Sequence, residues 1–146
     1  MGDAEQIVDA EGRKGVSATS AHLKVSISKF QESIKAVLKA CELEYHEEVI
    51  AGTYIVDYAV GNSLALEADG FTHFYAGTEN FTAKAKLKHR ILRSLGWNIV
   101  SLPYFQMKNR GLQLRTEYLV NAIEKESGAD LAQIRKLSRR RQFAVS

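Results

Sequence analysis

The feature that most constrains the fold is a pair of apolar segments joined by a three-residue link. Residues 53–60 (TYIVDYAV) are rich in β-branched and aromatic side chains, and residues 64–69 (LALEAD) follow directly after Gly61-Asn62-Ser63. Such segments favour β-strands, and a short link with Gly and Asn favours an antiparallel hairpin. Both segments are apolar on both faces, which is typical of interior strands.

The register of this hairpin decides whether two acids, Asp57 and Glu67, share a face. A three-residue loop places them directly across from each other, whereas a two-residue loop places Leu66 opposite Asp57 and turns the acids to opposite faces. We predict the three-residue loop, partly on the resemblance given below. Gly61 or Asn62 can supply the left-handed residue that this loop requires.

The other segments complete an α-β-β-β-α-β order with a C-terminal helix. We predict a helix from Ser28, a weak strand over 45–50, a helix over 82–95 with Leu87, Ile91 and Leu95 on its inner face, a strand over 97–102 and a helix over 112–126. A helix between the third and fourth strands favours an α/β fold, with a mixed sheet flanked by helices. We further predict a disordered leader over 1–21, one domain over 22–127 and a basic C-terminal tail over 128–146.

Charge is unevenly distributed along the 146 residues, although the net charge is only +3. Residues 1–83 carry 6 basic and 13 acidic side chains, and residues 84–146 carry 14 and 4. This segregation suggests a half that faces a polyanion, although the halves of a solvated surface can also neutralise each other. Within the second helix we predict four phosphate-binding residues, which are Lys84, Lys88, Arg90 and Arg93.

Simple exclusions narrow the classes of function. The single cysteine, Cys41, excludes an intramolecular disulfide and a cysteine-rich zinc site, and we expect it to pack as a small hydrophobe. No run of about 18 apolar residues is present, so we expect no membrane partner. The leader is acidic, which argues against a mitochondrial presequence.

The acids around the hairpin predict a site for phosphodiester chemistry. In the predicted register they share a face, which gives the candidate magnesium ligands Asp57, Glu67 and Asp69, with His73 as a general base or as a residue that holds a water. Spacing alone does not separate such a site from an acid cluster neutralised by lysine or arginine of the second helix, and by itself favours the cluster.

Three segments of the sequence resemble a known family, the RAP domain. The resemblance rests on residues 54–74, 87–92 (LKHRIL) and 95–105 (LGWNIVSLPYF), and most strongly on Glu67-Ala68-Asp69-Gly70 with His73-Phe74. It covers roughly residues 26–125. RAP domains occur in the FAST kinase family and in apicomplexan and organellar proteins, and they are similar in fold to the PD-(D/E)xK nucleases of the very-short-patch-repair type. The resemblance therefore implies a restriction-endonuclease-like core.

Carried over by position, the resemblance gives Asp57 the place of the first nuclease acid and Glu67 that of the second. Asp69 stands where these nucleases have lysine, which puts ordinary nuclease chemistry in doubt, and His73 takes the place of the family histidine. We assign Asp57, Glu67, Asp69 and His73 as the candidate catalytic residues, with magnesium as a cofactor only if the protein is an active endoribonuclease.

The resemblance also implies a role. It predicts RNA binding in organellar RNA processing, stability or ribosomal RNA maturation, with helical-repeat or ribonucleoprotein proteins as partners. Location would be mitochondrial or another organelle, or cytoplasmic if the leader is the true N-terminus. The alternative is a non-catalytic assembly module of an organellar ribonucleoprotein complex.

Overall fold

The structure is a computed structural model that describes residues 18–139. Five helices and four strands follow one another with a 3₁₀ turn after the third strand. In chain order they are α1 (Ala18–Ala40), β1 (His46–Ala51), β2 (Tyr54–Val60), β3 (Leu64–Asp69), the 3₁₀ turn (Phe71–His73), α2 (Ala83–Ser94), β4 (Asn98–Pro103), α3 (Tyr104–Met107), α4 (Leu112–Ser127) and α5 (Leu131–Ser138).

The strands form one mixed sheet in the order β1-β2-β3-β4. The first two pairings are antiparallel, while β3 and β4 are parallel. A parallel pair needs a long crossover, which α2 supplies by leaving the end of β3 and returning the chain to the start of β4. The predicted fold class is therefore confirmed: a mixed α/β sheet flanked by helices, with helices at the C-terminal end.

The hairpin between β2 and β3 has the predicted three-residue loop. Val60 pairs with Leu64, and the same register continues to Tyr58 and Leu66. Gly61 is the left-handed residue, with a φ of 65°. Glycine adopts this conformation without the steric cost that a β-carbon imposes.

The two faces of the sheet carry separate apolar cores. Side chains of α1, α4 and α5 cover one face, where Leu66 and Leu102 are fully buried. The other face packs under α2 and includes Val56, Ala59 and Leu92. The molecule thus has three layers, and the acids of β3 lie on the α2 side, because Glu67 and Asp69 alternate with residues of the first core.

Strand β2 is irregular at Asp57. Val56 and Tyr58 belong to opposite cores, although side chains two apart in a regular strand share a face. Across the β1–β2 pairing Asp57 lies beside Glu48, whose φ is 53°. The irregularity places the Asp57 carboxylate beside the backbone of β3, where it forms the bonds described below.

The described helices extend beyond both ends of the predicted domain, 22–127. Helix α1 begins at Ala18, ten residues before Ser28 and inside the predicted leader, while residues 1–17 lie outside the described residues. At the other end, α5 is part of the domain, because Ile134 is 2% exposed and Arg135 Nε donates to the carbonyl oxygen of Cys41 at 2.7 Å. The basic residues of this short helix led to the prediction of a tail, although its apolar residues are spaced for packing against the domain.

Two smaller expectations concern Cys41 and membranes. Cys41 is buried in the first core, as predicted, at 1% exposure. Among residues 18–139 no helix combines the length and the apolar character that a membrane span requires.

Candidate nucleic-acid site

Asp57 and Glu67 are held together by reciprocal bonds between side chain and backbone. The amide of Asp57 donates to Glu67 Oε2 at 2.9 Å, and the amide of Ala68 donates to Asp57 Oδ2 at 2.8 Å. Glu67 is fully buried. Regular pairing of β2 with β3 ends at Tyr58 and Leu66, and beyond it these two bonds connect the strands. The two acids therefore share a site, and they also tie the strands together.

Lysine reaches this acid pair from the helix rather than from the strand. Lys88 of α2 places its Nζ 2.6 Å from Glu67 Oε1, and its side chain is 23% exposed. Strand β3 contains no lysine or arginine, so the cation beside the acid pair comes from α2. Within residues 18–139 no other group bonds to Glu67 Oε1.

Burial dominates the electrostatics of the pair. Burial and, to a smaller extent, the negative charge of Asp57 raise the pKa of Glu67 to about 7, although Lys88 and the amide of Asp57 oppose the increase. Burial also raises the pKa of Asp57 above its ordinary value. Two acids in a poorly solvated site resist simultaneous ionisation, so the pair retains a proton to higher pH than free carboxyl groups do.

Asp69 organises a second group of polar side chains. Its carboxylate is 1% exposed, accepts a short hydrogen bond from Ser101 Oγ, and lies 2.7 Å from His73 Nδ1. The hydrogen bond to Asp69 raises the pKa of His73. His89 Nε2 lies 3.7 Å from the same carboxylate, and burial lowers the pKa of this histidine. Asp69 thus holds the Nδ1–H of His73 and leaves Nε2 for proton transfer or for a ligand.

An open pocket of about 400 Å³ lies beside these groups, between the 3₁₀ turn and the first turns of α2. We call it the phosphate pocket. Its lining residues are Tyr54, Asp69, Thr72, His73, Thr82, Lys84, Ala85, Lys88 and His89. Thr82 caps α2 by accepting from the amide of Ala85 at 3.2 Å. Cations near the positive end of a helix make a suitable environment for an anion.

The structure brings most of the predicted site residues together, but not all. Asp69, His73, Lys84 and Lys88 line the phosphate pocket, and the Asp57–Glu67 pair adjoins it through Lys88. Arg90 and Arg93 are exposed on α2 and do not line the pocket.

The predicted inner face of α2 was wrong. Leu87 and Leu95 are 40% and 53% exposed, and the buried residues of this helix are His89 and Leu92. The face that meets the sheet carries polar residues because it covers the buried carboxylates. Apolar periodicity therefore selected the wrong stripe.

Several residues in or beside the phosphate pocket were not predicted from the sequence. Ser101 pairs in register with Glu67 on the neighbouring strand, and it bonds Asp69. A serine between Val100 and Leu102 of a buried strand is the signal that could have identified it. Tyr54, Thr72 and Thr82 carry no such signal, because the chain brings them to the pocket only through its tertiary path.

The described donor set does not fit the predicted magnesium ion. Amides occupy one oxygen each of Asp57 and Glu67, Lys88 occupies the other Glu67 oxygen, and Ser101 and His73 occupy both oxygens of Asp69. Among residues 18–139 no group of three or more His, Cys, Asp or Glu side chains is arranged to hold a metal ion. The metal and catalytic roles of these acids stay predictions, and we derive no reaction step through magnesium.

Known proteins share both sequence and fold with this chain. Residues 66–122 match the model of the RAP domain. A curated relative, a chloroplastic RAP domain-containing protein of Oryza sativa subsp. japonica, is 32% identical over 94 residues, which is 63% of this chain and 15% of the relative. This chain therefore spans only a small part of that protein.

Among solved structures, the catalytic domain of the homing endonuclease I-Bth0305I is similar with a TM-score of 0.52 and 16% identity, over 66% of this chain and 95% of that domain. At this identity the likeness concerns the fold. The matched segment 66–122 contains Glu67, Asp69, His73 and Lys88 and runs from β3 into α4. The resemblance to the RAP domain predicted from the sequence is thus confirmed over residues 66–122, and the fold of the chain is similar to that of an endonuclease catalytic domain.

Proposed function

We propose that this protein binds RNA, with a backbone phosphate held in the phosphate pocket, and that it acts in organellar RNA processing, stability or ribosomal RNA maturation. The match to the RAP domain supports RNA as the ligand, and the chloroplastic name of the rice relative supports an organellar location. Because that relative is several times longer than the matched segment, we propose that helical-repeat or ribonucleoprotein partners provide selectivity for the RNA target.

One observation carries the proposal: the acids of the site are compensated inside the protein, while cations remain at the open pocket. Backbone amides donate hydrogen bonds to Asp57 and Glu67, Lys88 pairs with Glu67, and Asp69 is bonded by Ser101 and His73. A phosphate entering the pocket therefore meets an exposed Lys84 and a histidine whose raised pKa favours the charged form. Internal compensation of this kind lowers the repulsion that an acid cluster would otherwise exert on an anion.

The experiment measures the affinity of the protein for a fluorescent single-stranded RNA by anisotropy at several salt concentrations. Affinity falls as salt rises, and each lost phosphate contact reduces the slope of log K against log salt by about 0.7 for a single strand. Lys84→Ala should weaken binding and reduce that slope. Lys136→Ala, which removes an exposed lysine on α5, is the matched control and should leave both unchanged. Equal effects of the two variants, or affinity that ignores salt, would contradict the proposal.

RNA cleavage is a second candidate function, favoured by the Asp69–His73 pair. A histidine whose Nδ1–H is held by a buried carboxylate can accept or donate a proton at Nε2. The assay incubates end-labelled RNA with the parent protein, once with EDTA and once with magnesium. Cleavage in EDTA that disappears in His73→Gln supports proton transfer by histidine.

Cleavage only with magnesium, lost in both Asp57→Asn and Glu67→Gln, would support the predicted metal site instead. Intact RNA under both conditions, together with salt-dependent binding, would identify a non-catalytic RNA-binding or assembly module.

A further inference from the structure

A second cavity, of about 410 Å³, lies on the other side of the 3₁₀ turn. The proposed binding of a phosphate does not involve it. We call it the aromatic pocket. Its apolar lining includes Phe30, Phe71, Tyr104 and the buried Met107. Phe71 is 45% exposed and packs edge-to-face on Tyr104, with ring centroids 6.1 Å apart at 76°. A large aromatic ring is therefore held in place and presented to solvent.

The rim of the aromatic pocket is cationic. Lys29, Lys108 and Arg115 line it, and its described lining contains no carboxylate. Arg115 is fixed at the wall, because its Nε donates to the carbonyl oxygen of Met107 at 3.1 Å. A pocket for an aliphatic side chain of a protein needs no such rim, whereas a base attached to a phosphate chain complements it.

A hydrogen-bonding residue is also present. Asn109 lines the aromatic pocket, and its side-chain amide has both a donor and an acceptor. Asn109 has a φ of 58°, in the left-handed region, and lies in the turn between α3 and α4. The pocket thus combines a ring for stacking, an amide for hydrogen bonding and cations for the adjoining phosphate.

The two pockets lie back to back across a single short turn. Gly70 and Phe71 line the aromatic pocket, while the next two residues, Thr72 and His73, line the phosphate pocket. Consecutive Cα atoms are about 3.8 Å apart, so the walls of the two pockets are one peptide unit from each other.

We propose that the aromatic pocket receives an unstacked nucleobase of the single-stranded RNA whose phosphate binds in the phosphate pocket. This inference rests on the proposed RNA binding and adds a base subsite to it. Phe71 provides the stacking face, Lys29 and Lys108 attract the backbone, and Asn109 contacts the edge of the base. The protein would consequently prefer single-stranded RNA with intact bases over any chain of equal charge that lacks them.

The experiment compares two fluorescent 12-nucleotide RNAs of equal charge, one of uridines and one with abasic riboses at the central positions. Loss of stacking on one aromatic residue weakens binding by roughly five-fold or more. The parent should therefore bind the abasic RNA at least about five-fold more weakly. Phe71→Leu, which keeps an apolar side chain but removes the ring, should bind both RNAs with the affinity that the parent has for the abasic one.

Ile50→Ala is the matched control, because Ile50 is 77% exposed on β1, away from the lining of both pockets. This variant should keep the parent preference. Equal, salt-dependent affinity of the parent for both RNAs would overturn the base subsite and leave the proposed RNA binding intact. Failure of the parent to bind either RNA would overturn both. Unchanged preference in Phe71→Leu, with circular dichroism showing a folded variant, would overturn the role of the aromatic pocket.

Discussion

Replacing Glu67 by glutamine should change how the stability of this protein depends on pH. The folded protein raises the pKa of Glu67 to about 7, mainly through burial, from an ordinary value of 4.5. The folded state then binds a proton that the unfolded state releases between these two values. Stability contributed by this group is greatest below pH 4.5 and falls as pH rises to 7.

The size of this effect follows from the difference between the two pKa values. Each pKa unit corresponds to about 1.4 kcal/mol, so ionisation of Glu67 lowers the free energy of unfolding by about 3 kcal/mol between pH 4.5 and 7. Glu67 is fully buried, so solvent screening does not reduce this figure appreciably. Glutamine keeps the shape of the side chain and cannot ionise.

The assay is urea unfolding, followed by tryptophan fluorescence and circular dichroism, at half-unit steps from pH 4.5 to 7.5. Other groups titrate in this range, so the quantity to follow is the free energy of unfolding of the parent minus that of Glu67→Gln. This difference should fall by about 3 kcal/mol as pH rises to 7. Glu126→Gln, at an exposed position on α4, is the matched control. A difference that stays constant or increases with pH would refute the reasoning.

Two further predictions concern α5 and His73. Ile134→Ala removes a side chain that is 2% exposed and should lower the free energy of unfolding by about 2–5 kcal/mol, measured in urea; a loss under about 1 kcal/mol would show that α5 is dispensable to the domain. The hydrogen bond to Asp69 raises the pKa of His73, so the affinity for RNA should rise as pH falls through that pKa, and His73→Gln should lose this dependence. Anisotropy at constant ionic strength tests this, and the reasoning fails if the variant keeps the pH dependence of the parent.

Local patterns in the sequence predicted the strands and the hairpin well, because each depends on neighbouring residues. Residues 53–69 contain two strand-forming runs and one turn, and Gly61 at their junction suffices for the left-handed residue of the loop. Once that loop has three residues, the pairing of Val60 with Leu64 follows, and the position of Asp57 relative to Glu67 follows from it. The order of elements then restricted the sheet to a mixed one, since α2 must cross between β3 and β4.

The ends of the domain illustrate a limit of periodicity. Helix α5 has a capping box, with Asp130 and Gln133 bonding each other's backbone amides, yet its basic residues led to the prediction of a basic tail outside the domain. Its place in the domain depends on Ile134 and on the bond from Arg135 to Cys41, a contact across 94 residues. No local pattern contains information about such a contact.

The sequence alone reduced the hairpin to two registers, because register depends on loop length and on the two-residue period of a strand, and the resemblance to the RAP domain favoured the register in which Asp57 and Glu67 share a face. The tertiary structure decided what those acids do. It brought Lys88 from α2 to Glu67, and Ser101 and His73 to Asp69, and it closed the carboxylates with donors that a metal ion would have to displace. The physical reason is that a buried charge is stabilised by partners that are close in space, whatever their separation in the sequence. On α2 the side chains that face the buried acids are therefore Lys88 and His89, whereas apolar spacing predicted that Leu87 and Leu95 would face the sheet.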